Sequence, residues 1–148
     1  MPEHRLVIPD NTAKSEVAYR VPFYDTDAMG IVHHANYVRY LELARVRFLK
    51  DHDRAYQSYV AQGYHVVVTR VDIRLRKPSR FDDELYVTCW LERVRNASLT
   101  FGYQIQCSDG RELISTALTE HGVVDMQGKV KRIPLEHRAR LLSLVTPA

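Results

Sequence analysis

Asn36-Tyr37-Val38-Arg39-Tyr40-Leu41-Glu42-Leu43-Ala44-Arg45-Val46-Arg47-Phe48-Leu49 reads as one long helix. Tyr37, Leu41, Ala44 and Phe48 recur at steps of four and three residues, which lines them along a single helical face. Arg39, Glu42 and Arg45 stand three apart on the opposite side, where they can pair. Asn36 suits the N-cap, because its side chain can accept a free backbone N–H of the first turn. Outward from this helix the period changes. Upstream, Val17, Tyr19 and Val21 alternate as a strand that Pro22 ends or bends. Downstream, a short helix over residues 54–61 stops at Gly63, and period two takes over. Val71, Ile73 and Leu75 mark one strand face, Leu85, Val87, Cys89 and Leu91 the next, and Leu99, Phe101, Tyr103, Ile105 and Cys107 a third. A further strand covers about residues 112–124, and Pro134 can open a last helix at its first position. Strands on short connections pair antiparallel. The order therefore predicts an α+β fold, with one long helix against a five-stranded antiparallel sheet.

Composition sets the bounds. The chain has 148 residues, 45% hydrophobic and 26% charged, with six Gly and six Pro. That content excludes disorder and fibrous repeats. The length predicts a single domain over residues 1–148, with an extended lead-in over 1–14 and a C-terminal helix and tail over 134–148. No apolar run approaches the ~20 residues that span a bilayer. Met1-Pro2-Glu3-His4-Arg5 lacks the apolar stretch, roughly 7–15 residues long, of a signal peptide. A soluble, cytoplasmic protein without a membrane span is expected. Cys89 and Cys107 sit inside apolar-alternating runs without a C-x-x-C spacing, so they read as buried reduced thiols. A net charge of +3 suits a phosphate-bearing ligand but is too scattered for nucleic acid. One helix cannot cover both sheet faces, and Tyr86, Trp90 and Tyr103 stand available for contacts, so self-association is expected.

The densest group of reactive side chains is Tyr24-Asp25-Thr26-Asp27-Ala28-Met29-Gly30-Ile31-Val32-His33-His34-Ala35-Asn36-Tyr37. It joins a strand end to a helix start. The first N–H groups of a helix and its positive dipole end can bind a developing oxyanion. A carboxylate in the preceding loop can approach the same point. Three other readings of these residue types stand beside that one. A D-x-D pair can be a turn or cap feature. Asp27, His33 and His34 could ligate a metal, although adjacent histidines are poorly spaced for one ion. A haloacid-dehalogenase-like phosphatase also carries D-x-D after a strand. Met29 stands where that family has Thr, however, and Asp82-Asp83 follow too soon for its late acidic motif.

Arg20-Val21, Thr26-Asp27, Gly30-Ile31-Val32, His34 and Tyr37, at these spacings, resemble the signature of the 4-hydroxybenzoyl-CoA thioesterase family. The resemblance extends through residues 74–85 and Lys131-Arg132-Ile133-Pro134, about residues 16–134 in all. It implies the hotdog fold, a long central helix wrapped by an antiparallel sheet, and hydrolysis of an acyl-CoA thioester. It further implies Asp27 as nucleophile or general base. The backbone N–H of His34 would polarise the thioester carbonyl, or its side chain would touch the acyl group. Gly30 would permit the tight loop beside the substrate, with Tyr24 nearby, and Asp25 reads as a structural acceptor. Coenzyme A would be part of the substrate rather than a cofactor, with Arg95, Ser98, Lys131 and Arg132 along its phosphates. Arg76, Lys77 and Arg80 form a further basic cluster. The partner implied is a second copy of the chain, as a homodimer or a homotetramer, with no metal. Two alternatives use the same fold: a dehydratase working through His and Glu42, and a non-catalytic acyl-CoA-binding protein, against which the presence of Asp27 argues.

Overall fold

The computed structural model describes residues 7–145, so the first six residues of the expected lead-in and the last three of the tail lie outside the described residues. Five strands form one sheet: β1 (Lys14–Arg20), β2 (Tyr64–Leu75), β3 (Glu84–Val94), β4 (Ser98–Cys107) and β5 (Glu112–Asp125). Their spatial order is β1-β3-β4-β5-β2, and every neighbouring pair is antiparallel. Helix α1 (Asn36–His52) lies against β1 and β3. Two shorter helices, α2 (Tyr56–Ala61) and α3 (Leu135–Leu142), flank the body. The expected α+β arrangement is the one observed.

Periodicity explains the packing of α1. Tyr37, Leu41, Ala44 and Phe48 are all buried, joined by Tyr40 and Leu49, and they meet Leu85, Val87, Cys89, Leu99, Phe101 and Ile105 on the sheet. Burying each large apolar side chain contributes about 1.5–3 kcal/mol, which holds the helix on the sheet. Cys89 and Cys107 are free and buried, and burial pushes both thiols up from their ordinary range.

Four local expectations need correction. Ala35, not Asn36, occupies the N-cap of α1, with no side-chain cap bond. Asn36 instead donates from Nδ2 to the Asp25 carbonyl at 2.8 Å. Arg39 leaves the helix surface for Asp25, so only Arg45 and Glu42 pair there, at 3.8 Å. Pro134 stands one residue ahead of α3, at its N-cap. The aromatics expected to be available for contacts are satisfied within the chain. Trp90 is fully buried over Gly102, where a Cβ would come within 2.6 Å of the indole. Tyr103 is buried with its hydroxyl 2.7 Å from Thr119 Oγ1, and Tyr86 is covered by the Arg111 guanidinium at 3.6 Å.

Apolar surface is left elsewhere. β2 pairs only with β5, and Val67, Val68, Val71 and Leu75 along it are each more than 40% exposed. A long edge strand with apolar side chains is a template for pairing with another chain. At the far end, α3 is pinned by the buried His137, whose Nε2 meets Asp53 Oδ2 at 2.9 Å and whose Nδ1 meets the Tyr64 hydroxyl at 2.9 Å. Burial works to raise the Asp53 carboxyl, but the hydrogen bonds from His137 and Tyr59 outweigh it and hold the group below the usual range. No helix among the described residues is long and apolar enough to cross a membrane.

Candidate active site

Asp25 fixes the loop between β1 and α1. Its carboxylate is 2% exposed and accepts from Tyr40 at 2.6 Å, Tyr19 at 2.9 Å and Arg39 Nη2 at 2.6 Å. Burial works to raise its pKa, yet these three donors together draw it below the ordinary carboxylate value. The same burial and the facing carboxylate push the Tyr40 phenol upward. The Asp25 carbonyl accepts the His33 N–H at 2.9 Å as well as Asn36 Nδ2. One residue thereby ties the end of β1 to the start of α1.

The next residues make a tight reversal. The Asp27 N–H donates to the Ile31 carbonyl at 2.8 Å and the Gly30 N–H to the Asp27 carbonyl at 2.9 Å. Gly30 has φ +77°, a conformation that costs a side-chain-bearing residue energy and glycine little. Within this turn Asp27 Oδ1 accepts the Met29 N–H at 2.8 Å, and Oδ2 has no partner among the described residues. The turn steadies the carboxylate through one oxygen and leaves the other unpaired.

Partners of the following N–H groups decide what this carboxylate faces. Val32 donates to the Ser79 carbonyl, His33 to Asp25, Asn36 to the His33 carbonyl and Tyr37 to the His34 carbonyl. Ala35 donates to His33 Nδ1 at 3.1 Å. Only the His34 N–H, in the run from Val32 to Tyr37, finds no acceptor among the described residues. It directly precedes the N-cap of a helix of 17 residues, where the dipole favours negative charge.

Asp27 and His34 line the same cavity, about 340 Å³, together with Met29, Ile31, Val32, Tyr37, Leu75, Arg76, Lys77 and Pro78. The wall from Leu75 to Pro78 comes from the end of β2, and the Lys77-Pro78-Ser79 break in the sequence is the trace it leaves there. Ser79 is fully buried and accepts from the Tyr37 hydroxyl at 3.1 Å. His33 stacks on His34 with ring centroids 4.3 Å apart but does not line the cavity. Tyr24 is 82% exposed and does not reach it. Glu42 is held by Arg45 and lines a different cavity, between α1 and β2. Among the described residues no group of three or more His, Cys, Asp or Glu comes together as metal ligands.

The expected basic residues lie elsewhere. Arg95 and Ser98 bracket the β3–β4 turn, where the Arg95 N–H donates to the Ser98 carbonyl at 2.9 Å. The Lys131 N–H donates to the Val123 carbonyl at 2.9 Å, and Lys131 Nζ lies 5.3 Å from the Tyr64 ring centroid. Arg132 follows it, exposed. On the Asp27 side, the Arg76 N–H donates to the Ile114 carbonyl. Ile114 and Val123 stand near opposite ends of β5, about 30 Å apart at the rise of an extended strand. Asp27 and the Arg95–Lys131 group are therefore not neighbours within one chain.

A match to the thioesterase-like superfamily runs over residues 21–141. The chain is 38% identical over 117 residues to a putative esterase of Aquifex aeolicus, covering 79% of this chain and 89% of that one. It is 35% identical over 95 residues to the acyl-CoA thioester hydrolase YbgC of Escherichia coli, covering 64% of this chain and 71% of that one. The solved structure of a hypothetical protein from Thermus thermophilus aligns with a TM-score of 0.82 at 29% identity, over 90% of this chain and 99% of that one. The matched span holds the carboxylate turn, the unspent N–H and the β2 end that walls the cavity. Sequence, site and topology agree that the chain belongs to the thioesterase-like superfamily and carries its hotdog fold.

Proposed function

We propose that the chain hydrolyses an acyl-CoA thioester in the cytoplasm, with Asp27 as nucleophile or general base and the His34 N–H as the carbonyl's hydrogen-bond donor. The unspent His34 N–H carries this reading. A thioester carbonyl oxygen set on that donor presents its carbon to the cavity that Asp27 lines. As the tetrahedral oxyanion forms, the N–H and the helix dipole stabilise it. That oxyanion comes either from attack by water, whose proton Asp27 takes, or from attack by Asp27 itself, in which case loss of the thiolate leaves an acyl-Asp27 anhydride that water then hydrolyses. The C–S bond breaks, and the thiolate leaves to be protonated. Coenzyme A enters as part of the substrate, and the chemistry needs no further cofactor. Release of free thiol from a panel of acyl-CoAs tests the reading. Binding without release would leave an acyl-CoA-binding protein, and formation of an enoyl product a dehydratase.

The placement of the basic residues supports a dimer as the working form. Joining two β2 edges antiparallel sets the Tyr64 end of one copy beside the Leu75 end of the other. Lys131, over Tyr64, then approaches the Asp27 end of the second copy. That pairing would let Arg95, Ser98, Lys131 and Arg132 of one copy serve coenzyme A while Asp27 of the other acts on the acyl group. Sedimentation should find at least a dimer at micromolar concentration, whether or not dimers pair into a tetramer. Val71→Glu, which charges the exposed apolar strand, should yield a folded monomer with little activity; a fully active monomer sinks the arrangement.

The phosphates of coenzyme A give a second test. Alanine at Arg95, Lys131 or Arg132 should raise KM about 3- to 10-fold with kcat little changed, the signature of lost uniform binding. The increase should shrink in high salt, because exposed charges are screened over about 10 Å at 0.1 M. An unchanged KM in all three variants would make these residues solvated surface cations.

A further inference from the structure

We infer that Arg76 selects acyl groups that carry a carboxylate, an inference that rests on the thioesterase reading of the Asp27 cavity. Five polar or charged side chains line that cavity: Asp27, His34, Tyr37, whose hydroxyl is spent on Ser79, Arg76 and Lys77. Lys77 donates to Glu112 and is neutralised there. The Arg76 side chain has no hydrogen bond, ion pair or ring contact among the described residues, although those of its chain neighbours of the same type do. Arg74 meets Asp72 at 3.6 Å, and Arg70 meets both Asp72 and Glu120 at 3.5 Å.

Its backbone is fixed even though its charge is unmatched. The Arg76 N–H donates to the Ile114 carbonyl at 2.9 Å, and the Lys77 N–H donates to the same oxygen at 3.3 Å. The backbone that carries the guanidinium is thus anchored, while the guanidinium itself is exposed and unpaired, a fork whose shape matches a carboxylate through two parallel hydrogen bonds. Met29, Ile31, Val32, Leu75 and Pro78 give the same cavity an apolar wall. An acyl group with an apolar body and an anionic end fits a lining of that composition.

Coenzyme A itself offers anions, but they are remote from the reacting carbon. The diphosphate hangs beyond the whole pantetheine arm with its two amides. A cation that shares a cavity of about 340 Å³ with Asp27 meets atoms close to the carbonyl instead. Phosphate and carboxylate present the same chemistry to a guanidinium, so the test must separate the two.

The probes are benzoyl-CoA and 4-carboxybenzoyl-CoA, with the same two acyl groups on N-acetylcysteamine, which carries no phosphate. The native enzyme should favour the carboxylated acyl group on both thiols. Arg76→Gln should lower that preference, read as the ratio of kcat/KM values, by about 10- to 100-fold, the size expected for a lost charge-assisted hydrogen bond. Arg76→Lys should restore part of it. The ratio cancels any general loss from a loosened fold. Equal losses on both acyl groups would overturn the proposal, and so would a loss confined to the coenzyme A thioesters, which would assign Arg76 to phosphate. A native enzyme that cleaves benzoyl-CoA without preferring its carboxylated analogue would also overturn it while leaving the hydrolase reading intact. Failure to release thiol from any acyl-CoA of a broad panel would instead remove that reading itself.

Discussion

Asp27→Asn should lower kcat by about 10²–10⁴-fold, the usual cost of losing a general base, with at least as large a loss if the carboxylate is a nucleophile. The amide keeps the shape of the side chain, and its oxygen can still accept the Met29 N–H as Oδ1 does at 2.8 Å. Only the charge and the basic oxygen are removed. The His34 N–H is untouched, so KM and melting temperature should stay close to the native values. The measurement is steady-state thiol release on a variant shown by thermal melting to be folded. Near-normal turnover by Asp27→Asn would remove Asp27 from the chemistry and leave the open cavity without a base.

How much of this was legible in the sequence depends on how far apart the interacting residues lie. The buried face of α1 follows from Tyr37, Leu41, Ala44 and Phe48, because periodicity within one element encodes which side meets the sheet. Strand faces follow for the same reason. Asn36 was misread because capping rules see only local backbone, whereas the Asp25 carbonyl, 11 residues earlier, is its acceptor. Helical spacing places Arg39 with Glu42, whereas Asp25, buried nearby in space, is the stronger partner. Trp90 looked free because alternation cannot show that Gly102 opposes it across the ladder. Asp27, Gly30 and His34 were legible as a group because one turn and one helix start bring them together in consecutive sequence. Arg76 reaches the cavity only because β2 ends beside the loop. The separation of Lys131 from Asp27 depends on where β5 runs, and residue spacing carries neither fact.

Asp25→Ala should destabilise the fold by about 3 kcal/mol, the range for removing one partner of a buried charged pair whose other member is part-exposed. Arg39 is 43% exposed and can regain water, which keeps the loss from being larger. The Tyr40 hydroxyl cannot, because its residue is fully buried and its acceptor is gone. For a domain of this length the change corresponds to a drop of about 10 °C in melting temperature. Asp25→Asn should lose less, since an amide oxygen still accepts one of the phenols. pH separates charge from packing. The folded Asp25 carboxyl lies below its ordinary value, so its contribution is fully present above about pH 4. As pH falls through the folded value, the carboxylate is protonated and that contribution is lost. The gap in melting temperature between native protein and Asp25→Asn should thus be constant from about pH 5 to 8 and narrow below about pH 4. A gap that stays constant into acid would mean that shape, not charge, is what Asp25 supplies. Activity offers an independent check. Asp25 also holds His33 and Asn36 through its backbone carbonyl, which both variants keep. Below their melting temperatures they should therefore retain turnover within about 10-fold of native, less than the loss expected at Asp27. A folded Asp25→Asn that is as inactive as Asp27→Asn would move the catalytic carboxylate from the open turn to the buried one.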